Sequence, residues 1–357
     1  MSYPFRRLKQ SCMKKLDNGR NSTSLLFLLI YGIGILFLLL TAFHGNIWFD
    51  ESYSVGIASK SFSEIWSYGS CDVHPVLYYC ALHVLYLVST GIFSADIDSV
   101  ILIYRIFTVF GVVSLALLGF THIRKDYGAK VGILYSFVVF SIPYIALMAV
   151  EIRMYTWAMF TVMLCYLYGL RIVRLAKDKS VIPLHWWVLF ALSSLASAYL
   201  HYFAAISVFL VNAFVLIFLL KYQVKEKRNL VYFSISAILQ LLAYTPWLLT
   251  LLTQISVVSN TYWAKFYVPY TIIELLAYPF VTSPLSFALR GEYGLEIQIV
   301  SIALIVALIT LLVLLIINRP KRAHFASKLG ILLYLGVLVI GCIASILMNS
   351  LIVYYRY

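Results

Sequence analysis

Charge is what this chain has least of. Asp, Glu, Lys and Arg together make up 11% of its 357 residues, against 63% hydrophobic ones. The mean hydropathy is +0.93. A soluble domain of this size with so few charges has no means of covering its surface with solvated groups, so a water-soluble globule is excluded. Cysteine is also scarce. The five present (Cys12, Cys71, Cys80, Cys165 and Cys342) show neither paired nor metal-ligand spacing, which removes disulfide-scaffold and zinc-module readings. Cys71 and Cys80 fall in one loop, but nothing in the pattern requires them to pair. Internal repeats, low-complexity linkers and polar stretches long enough for a soluble domain are missing as well.

What the chain has instead is a series of apolar runs from Leu25 onward, several of them long enough to span ~30 Å of hydrocarbon. The first, Leu25–Phe43, follows a basic leader of Arg6, Arg7, Lys9, Lys14, Lys15 and Arg20. It is too long for a signal peptide and no small-residue cleavage site follows, so it reads as a retained helix. The net charge of +13 is confined to short stretches between apolar runs: the leader, Arg124-Lys125-Lys130, Arg171-Arg174-Lys177-Lys179, Lys221-Lys225-Lys227-Arg228 and Arg319-Lys321-Arg322-Lys328. That is the positive-inside pattern of a multi-pass protein and not a nucleic-acid surface. Contact with anionic lipid headgroups follows from it.

Placing those clusters in the cytoplasm predicts an all-α, polytopic helical bundle of about nine spans in the cell membrane, with the N-terminus inside. The predicted spans are Leu25–Phe43, Val100–Thr121, Val131–Val150, Met154–Leu170, His185–Leu200, Tyr202–Leu220, Leu230–Leu251, Ile297–Ile317 and Leu329–Leu351. The chain thus reads as one membrane domain. Its parts are a first span over 24–43, a first outer loop over 44–98, core spans over 99–250, an outer loop over 251–296 and last spans over 297–357. His74–Ile92 is apolar and nearly long enough to cross, yet a crossing there would move every later basic loop outside. It is therefore expected to be re-entrant or interfacial, a placement tolerated where protein or a watery cavity covers the backbone. The ending, Tyr354-Tyr355-Arg356-Tyr357, puts an arginine directly after an apolar run and reads as cut short.

Four polar groups fall on the predicted outer side. Asp50-Glu51 follows Trp48-Phe49 after the first span, and alone would be a solvated loop at an interface. In Asp72-Val73-His74-Pro75-Val76-Leu77-Tyr78-Tyr79, Pro75 suits the first turn of a helix with Asp72 as its capping carboxylate, which leaves His74 unexplained. Glu151 and Arg153, in Glu151-Ile152-Arg153-Met154-Tyr155, are as readily a self-neutralising pair as a functional one. His201-Tyr202-Phe203 lies at a tight outer turn, where aromatic-belt residues belong in any case. Jointly they outweigh those readings, because acids, histidines and an arginine from distant stretches converge on one membrane face. Arg105 joins them if His74–Ile92 does not cross. An intramembrane arginine is a functional candidate by default, and its planar fork suits a phosphate.

Together these segments resemble the bacterial membrane glycosyltransferases related to protein O-mannosyltransferases and lipid A aminoarabinose transferases. The resemblance rests on Asp50-Glu51 followed by Asp72-Val73-His74-Pro75. Glu151–Tyr155 matches a Glu-x-Arg-Met-Tyr segment and His201–Phe203 a His-Tyr-Phe segment that many bacterial members carry. It covers roughly the first two-thirds of the chain, in the family's order. Val76 departs from it, standing where the family usually has a second proline, and family members usually continue past an Arg-Tyr like Arg356-Tyr357.

The resemblance implies a glycosyltransferase fold of the C type, with an outward-facing site and a sugar donor on a polyprenyl phosphate. The acceptor is a protein, lipid or glycan, and no cofactor or metal is required. By resemblance Asp50 is the general base and Glu51 positions it or the acceptor. Arg105 and Arg153 stabilise the phosphate leaving group, while Asp72, His74, Glu151, Tyr155 and His201 bind or orient the donor. The aromatic outer stretch Tyr262-Trp263-Ala264-Lys265-Phe266-Tyr267 reads as a headgroup anchor or a lid. The rival classes are a transporter or flippase of lipid-linked sugars, and an O-antigen-type polymerase or ligase. Transporters usually show repeated halves and midplane charges. The polymerases carry arginine-rich outer loops. Neither pattern is present.

Overall fold

Apolar stretches that enter lipid must satisfy every backbone group internally, which leaves the helix as the local structure open to them. The computed structural model describes residues 3–43, 46–222, 227–261, 324–348 and 350–353, with isolated positions 306, 310, 313 and 317. Among these residues all regular structure is helical. The elements are α1 (Tyr3–Phe43), α2 (Phe49–Ala58), α3 (Phe62–Ser70), α4 (Leu77–Phe93), α5 (Ile97–Leu118), α6 (Arg124–Tyr127) and α7 (Ala129–Ser141). They continue with α8 (Pro143–Val150), α9 (Tyr155–Lys177), α10 (Leu184–Leu200), α11 (Tyr202–Tyr222), α12 (Lys227–Thr261) and α13 (His324–Leu347).

Six of the described helical stretches are long and apolar enough to cross a membrane: Thr23–Phe43, Ile97–Tyr127, Tyr155–Lys177, Tyr202–Tyr222, Lys227–Ile255 and His324–Leu347. The pair α7 and α8, bent by 63° at Ile142, makes a seventh if it counts as one span. Leu77–Phe93 and Leu184–Leu200 are shorter apolar helices. The chain is therefore a multi-pass membrane protein. Apart from the four isolated positions, the span expected over Ile297–Ile317 lies outside the described residues, as do the aromatic stretch at Tyr262–Tyr267 and the end at Tyr354–Tyr357.

Contacts fix how the helices run. Phe27 of α1 packs edge-on to Phe120, its ring 5.0 Å away, and Tyr31 donates to the Ala116 carbonyl at 2.6 Å. At the other end of α1, the Ala42 carbonyl accepts from Arg105 of α5. The two helices are thus antiparallel. Helix α9 runs parallel to α5, since Thr156 donates to the Thr108 carbonyl and Arg171 reaches Asp126. Helix α10 runs back, with Ser197 bonded to Thr161 and Trp186 near Tyr168. Helices α11 and α13 are antiparallel, because Phe218 meets Phe325 while Phe203 lies beside Gly341.

Hydrophobic burial gives little drive between helices in lipid, so close packing and polar contacts must hold them. Helices α5 and α7 meet at two glycines. A Cβ on Gly119 would lie 2.6 Å from the Gly132 carbonyl, and one on Gly132 would lie 2.4 Å from the Gly119 carbonyl. The approach occurs in the π-helical turn Gly119–Ile123, which carries α5 into α6.

Capping sets the small helices between α1 and α5. The Trp48 amide donates to Glu51 Oε2 at the start of α2, and Ser61 and Glu64 form a reciprocal capping box on α3. Helix α4 starts later than the sequence suggests. Its first residue is Leu77 and its N-cap is Val76, so Asp72 does not cap it. The chain turns first at Cys71 and Asp72, whose amides donate to the Tyr68 and Gly69 carbonyls. The helix start is thereby carried past Pro75. Helix α4 ends at Ser94, held at φ 50°, and Asp96 then caps α5 through the Ser99 amide.

Candidate active site

The residues singled out in the sequence meet at the end of the bundle opposite the basic turns. The acids of α2 sit in its first turn, where the exposed amides of a helix favour negative charge. Glu51 is 3% exposed and ties three distant segments together. Its two oxygens face Arg105 Nε and Nη2 of α5, each at 3.4 Å. Oε1 also accepts from the Ile152 amide and Oε2 from the Trp48 amide, both at 3.2 Å. The Arg105 contacts are longer than optimal hydrogen bonds, so the pair is held by charge in a desolvated place. A carboxylate with all its neighbours fixed positions structure.

Arg105, expected by resemblance to stabilise the phosphate leaving group, packs against this carboxylate. It is 7% exposed, and its fork is directed at Glu51 and the Ala42 carbonyl. The half-buried Asp50, one residue before Glu51, lies nearer Arg153.

Arg153 comes from the turn between α8 and α9 and is also buried. Nη1 donates to Ser54 Oγ of α2 at 3.4 Å and to the Tyr79 hydroxyl of α4 at 3.3 Å. Its Nε has no hydrogen-bond partner among the described residues. Burial works against the guanidinium charge, but Tyr79, Tyr155 and Asp50 favour it, and the group stays protonated. The Tyr79 hydroxyl in turn donates to Asp72 Oδ2 at 3.4 Å. A polar chain thus runs from Arg153 through Tyr79 to Asp72. Burial pushes the Asp72 carboxyl above its ordinary range, opposed by the Val73 amide, Arg153, Tyr79 and Tyr53.

The two histidines face each other, their ring centroids 5.3 Å apart, with Tyr155 edge-on to His201 at 5.7 Å. Burial, with Arg153 nearby, lowers the pKa of both, that of His201 to about 3, so both rings are neutral at pH 7. The Phe203 amide donates to His201 Nδ1 at 3.2 Å, so the ring proton is on Nε2. Glu151 sits half-buried in the same turn as Arg153 and accepts the Arg153 amide through its backbone carbonyl at 2.7 Å.

Beside the histidines opens a cavity of about 970 Å³ between α10, α11, α12 and α13. Its walls are almost wholly apolar. His74 and His201 lie at one end, and Ser194, Asn212 and Gln240 are the polar groups deeper along it. Among the described residues, no three His, Cys, Asp or Glu side chains converge as metal ligands.

Sequence reasoning did not single out Ser54, Tyr79 or Gln254. Tyr79 and Ser54 are ordinary residues on short helices and carry no signal alone. Gln254 does, as a carboxamide in a predominantly apolar helix, where an unsatisfied polar group is costly. No protein-family model, curated protein or solved structure matches this chain.

Proposed function

We propose that this chain is a membrane glycosyltransferase that moves a sugar from a polyprenyl-phosphate donor to an acceptor on the non-cytoplasmic face. The observation that carries the reading is the long apolar cavity ending on His74 and His201, with the Arg153 charge acting on both rings and Asp50 acting on Arg153. An apolar tail needs such a groove, and the phosphate at its end needs a desolvated cation. The resemblance of Asp50-Glu51, Asp72–Pro75, Glu151–Tyr155 and His201–Phe203 to the family supports the same reading.

In this reading the basic turns are cytoplasmic and the buried cluster lies outside. Helix α4 stays on the outer side and does not cross. Its Tyr78 bonds Thr108 of α5 and its far end joins the start of α5 at Ser94–Asp96, so it lies beside the outer part of that helix. About nine spans remain the proposal: the six long helices, α7 and α8 taken as one, α10 taken as crossing, and the run expected from the sequence over 297–317.

The reaction is a direct displacement. The acceptor oxygen attacks the anomeric carbon while Asp50 takes its proton, and the bond from that carbon to the phosphate oxygen breaks. The electron pair leaves on the lipid phosphate, whose growing charge Arg153 stabilises. Glu51 and Arg105 hold α2, α5 and the Glu151–Met154 turn in register. The neutral histidines and Asp72 bond the sugar or the phosphate.

The test is transfer of labelled sugar from a panel of polyprenyl-phosphate hexoses and pentoses to a membrane extract, by protein reconstituted in lipid. Transfer by the wild type and its loss in Asp50→Asn are expected. Passage of an intact lipid-linked sugar across the bilayer, with no bond broken, would replace the transferase with a flippase.

A further inference from the structure

We infer that Gln254 is a positioning residue that fixes the Asp72–His74 turn at the mouth of the cavity and so ties the lipid groove to the reacting end. Gln254 is 4% exposed, near the outer end of α12. Its Nε2 points at three backbone carbonyls of the turn after α3, those of Gly69 at 2.9 Å, Ser70 at 3.3 Å and Asp72 at 2.5 Å. Its Oε1 accepts from the Tyr202 hydroxyl, and that hydroxyl accepts from Trp247 Nε1 at 3.1 Å. Trp247 is fully buried and meets Trp66 of α3 edge-on at 5.1 Å. A closed polar strap thus joins α12 and the start of α11 to the turn that bears Asp72 and His74.

The same residues form the cavity wall. Tyr202, Leu251 and Gln254 line it together with His74 and His201. The two N–H donors of the carboxamide are shared among three carbonyls, a demanding arrangement in a membrane, since a carbonyl left unbonded there costs free energy. Fastening two helices needs less. The loop this strap holds is also tied by the turn amides of Cys71 and Asp72, by Tyr79 and Tyr53 on the Asp72 carboxyl and by His74 against His201. One residue upstream of the strap's span, Pro246 removes a backbone donor within α12, so the outer segment of that helix is held less by its own ladder.

This inference rests on the transferase reading, and two readouts keep the two apart. Gln254→Met keeps length and volume in an apolar helix while removing the donor and the acceptor. The expected result is faster amide exchange at Cys71 and Asp72. With it, kcat for sugar transfer should fall about 10- to 100-fold at a nearly unchanged KM for the donor. Tyr202→Phe, which leaves the three carbonyl bonds, should shift both in the same direction by less. Unchanged kcat in Gln254→Met, with or without faster exchange, would overturn the positioning role, as would exchange equal to the wild type. Absence of transfer by the wild type from every donor would instead overturn the transferase reading, while exchange at Cys71 and Asp72 would still decide whether the strap holds the turn.

Discussion

The two ends of the bundle handle charge in opposite ways. At the basic end, cations lie over aromatic faces: Arg124 over Phe120 at 5.1 Å, Arg171 over Tyr168 and Trp186 at 5.5 and 5.7 Å, and Lys177 over Phe325 at 5.5 Å. Arg171 also pairs with Asp126 there, their side chains 12% and 16% exposed. These charges snorkel from apolar walls toward water, as topology requires. At the opposite end Glu51, Arg105 and Arg153 are each 7% exposed or less, within a core of Tyr78, Tyr79, Tyr104, Tyr144, Tyr155 and Trp247. Topology asks for no buried cation there. Charge kept out of water where orientation does not need it points to chemistry.

The sharpest way to break that contrast is to remove one partner of the buried pair. Glu51→Ala or Arg105→Ala leaves an uncompensated charge and is expected to lower stability by roughly 3–5 kcal/mol, measured by thermal unfolding in detergent. The double variant Glu51→Leu with Arg105→Met should recover most of that loss, because only the unpaired charge is expensive. Equal loss in the single and double variants would contradict the account of Glu51 as a hub held by charge.

Next in size is Arg153→Lys, which keeps the charge and gives up the planar fork. Sugar transfer should fall about 10²- to 10³-fold while the fold is retained. A matched Arg171→Lys should leave transfer within about twofold, since Arg171 lies with Asp126 at the end of the bundle opposite the buried cluster.

The histidines give a pH test. His201, and His74 with it, binds its proton less well folded than unfolded, so the unfolded state gains protons first as pH falls. The contribution of His201 is complete above the ordinary value of 6.5 and is lost as pH drops toward about 3, and that of His74 is lost in the same direction. Between pH 6.5 and 5 the expected loss is on the order of 1–2 kcal/mol for His201. The raised carboxyl of Asp72 acts with opposite sign, since its folded form binds a proton more readily than the unfolded one. His201→Gln should flatten the acid limb of the melting curve, and an unchanged limb would show that the ring is protonated in the folded state. Asp126→Ala at the basic end breaks a half-buried, charge-assisted pair and should cost roughly 1–3 kcal/mol of stability while leaving sugar transfer unchanged.

Much of this contrast was legible in the sequence. Apolar runs of spanning length and basic turns between them gave the helical membrane class, and the four polar groups expected on one side, though from distant stretches, meet at one end of the bundle. Which partner each side chain would take was not legible. Arg105 and Glu51 are 54 residues apart, and their meeting depends on how α5 rotates against α2, a matter of packing that composition does not encode. Gln254 reaches the Asp72 carbonyl across 182 residues for the same reason. Asp72 misled because a carboxylate shortly before Pro75 matches a helix cap locally. The turn at Cys71 and Asp72 carries the helix start past it, and the freed carboxyl joins the Arg153–Tyr79 chain instead.

The most direct test of the central claim asks where a lipid phosphate sits. Undecaprenyl phosphate bearing a photoreactive group on its tail would be activated with the reconstituted protein, and the labelled peptides mapped. Labelling concentrated on α11 and α12 along the cavity from Tyr202 toward Asn212, competed by unlabelled undecaprenyl phosphate and weakened by Arg153→Lys, is the expected result. Labelling spread over the lipid-facing sides of α1 and α5, indifferent to Arg153, would contradict it.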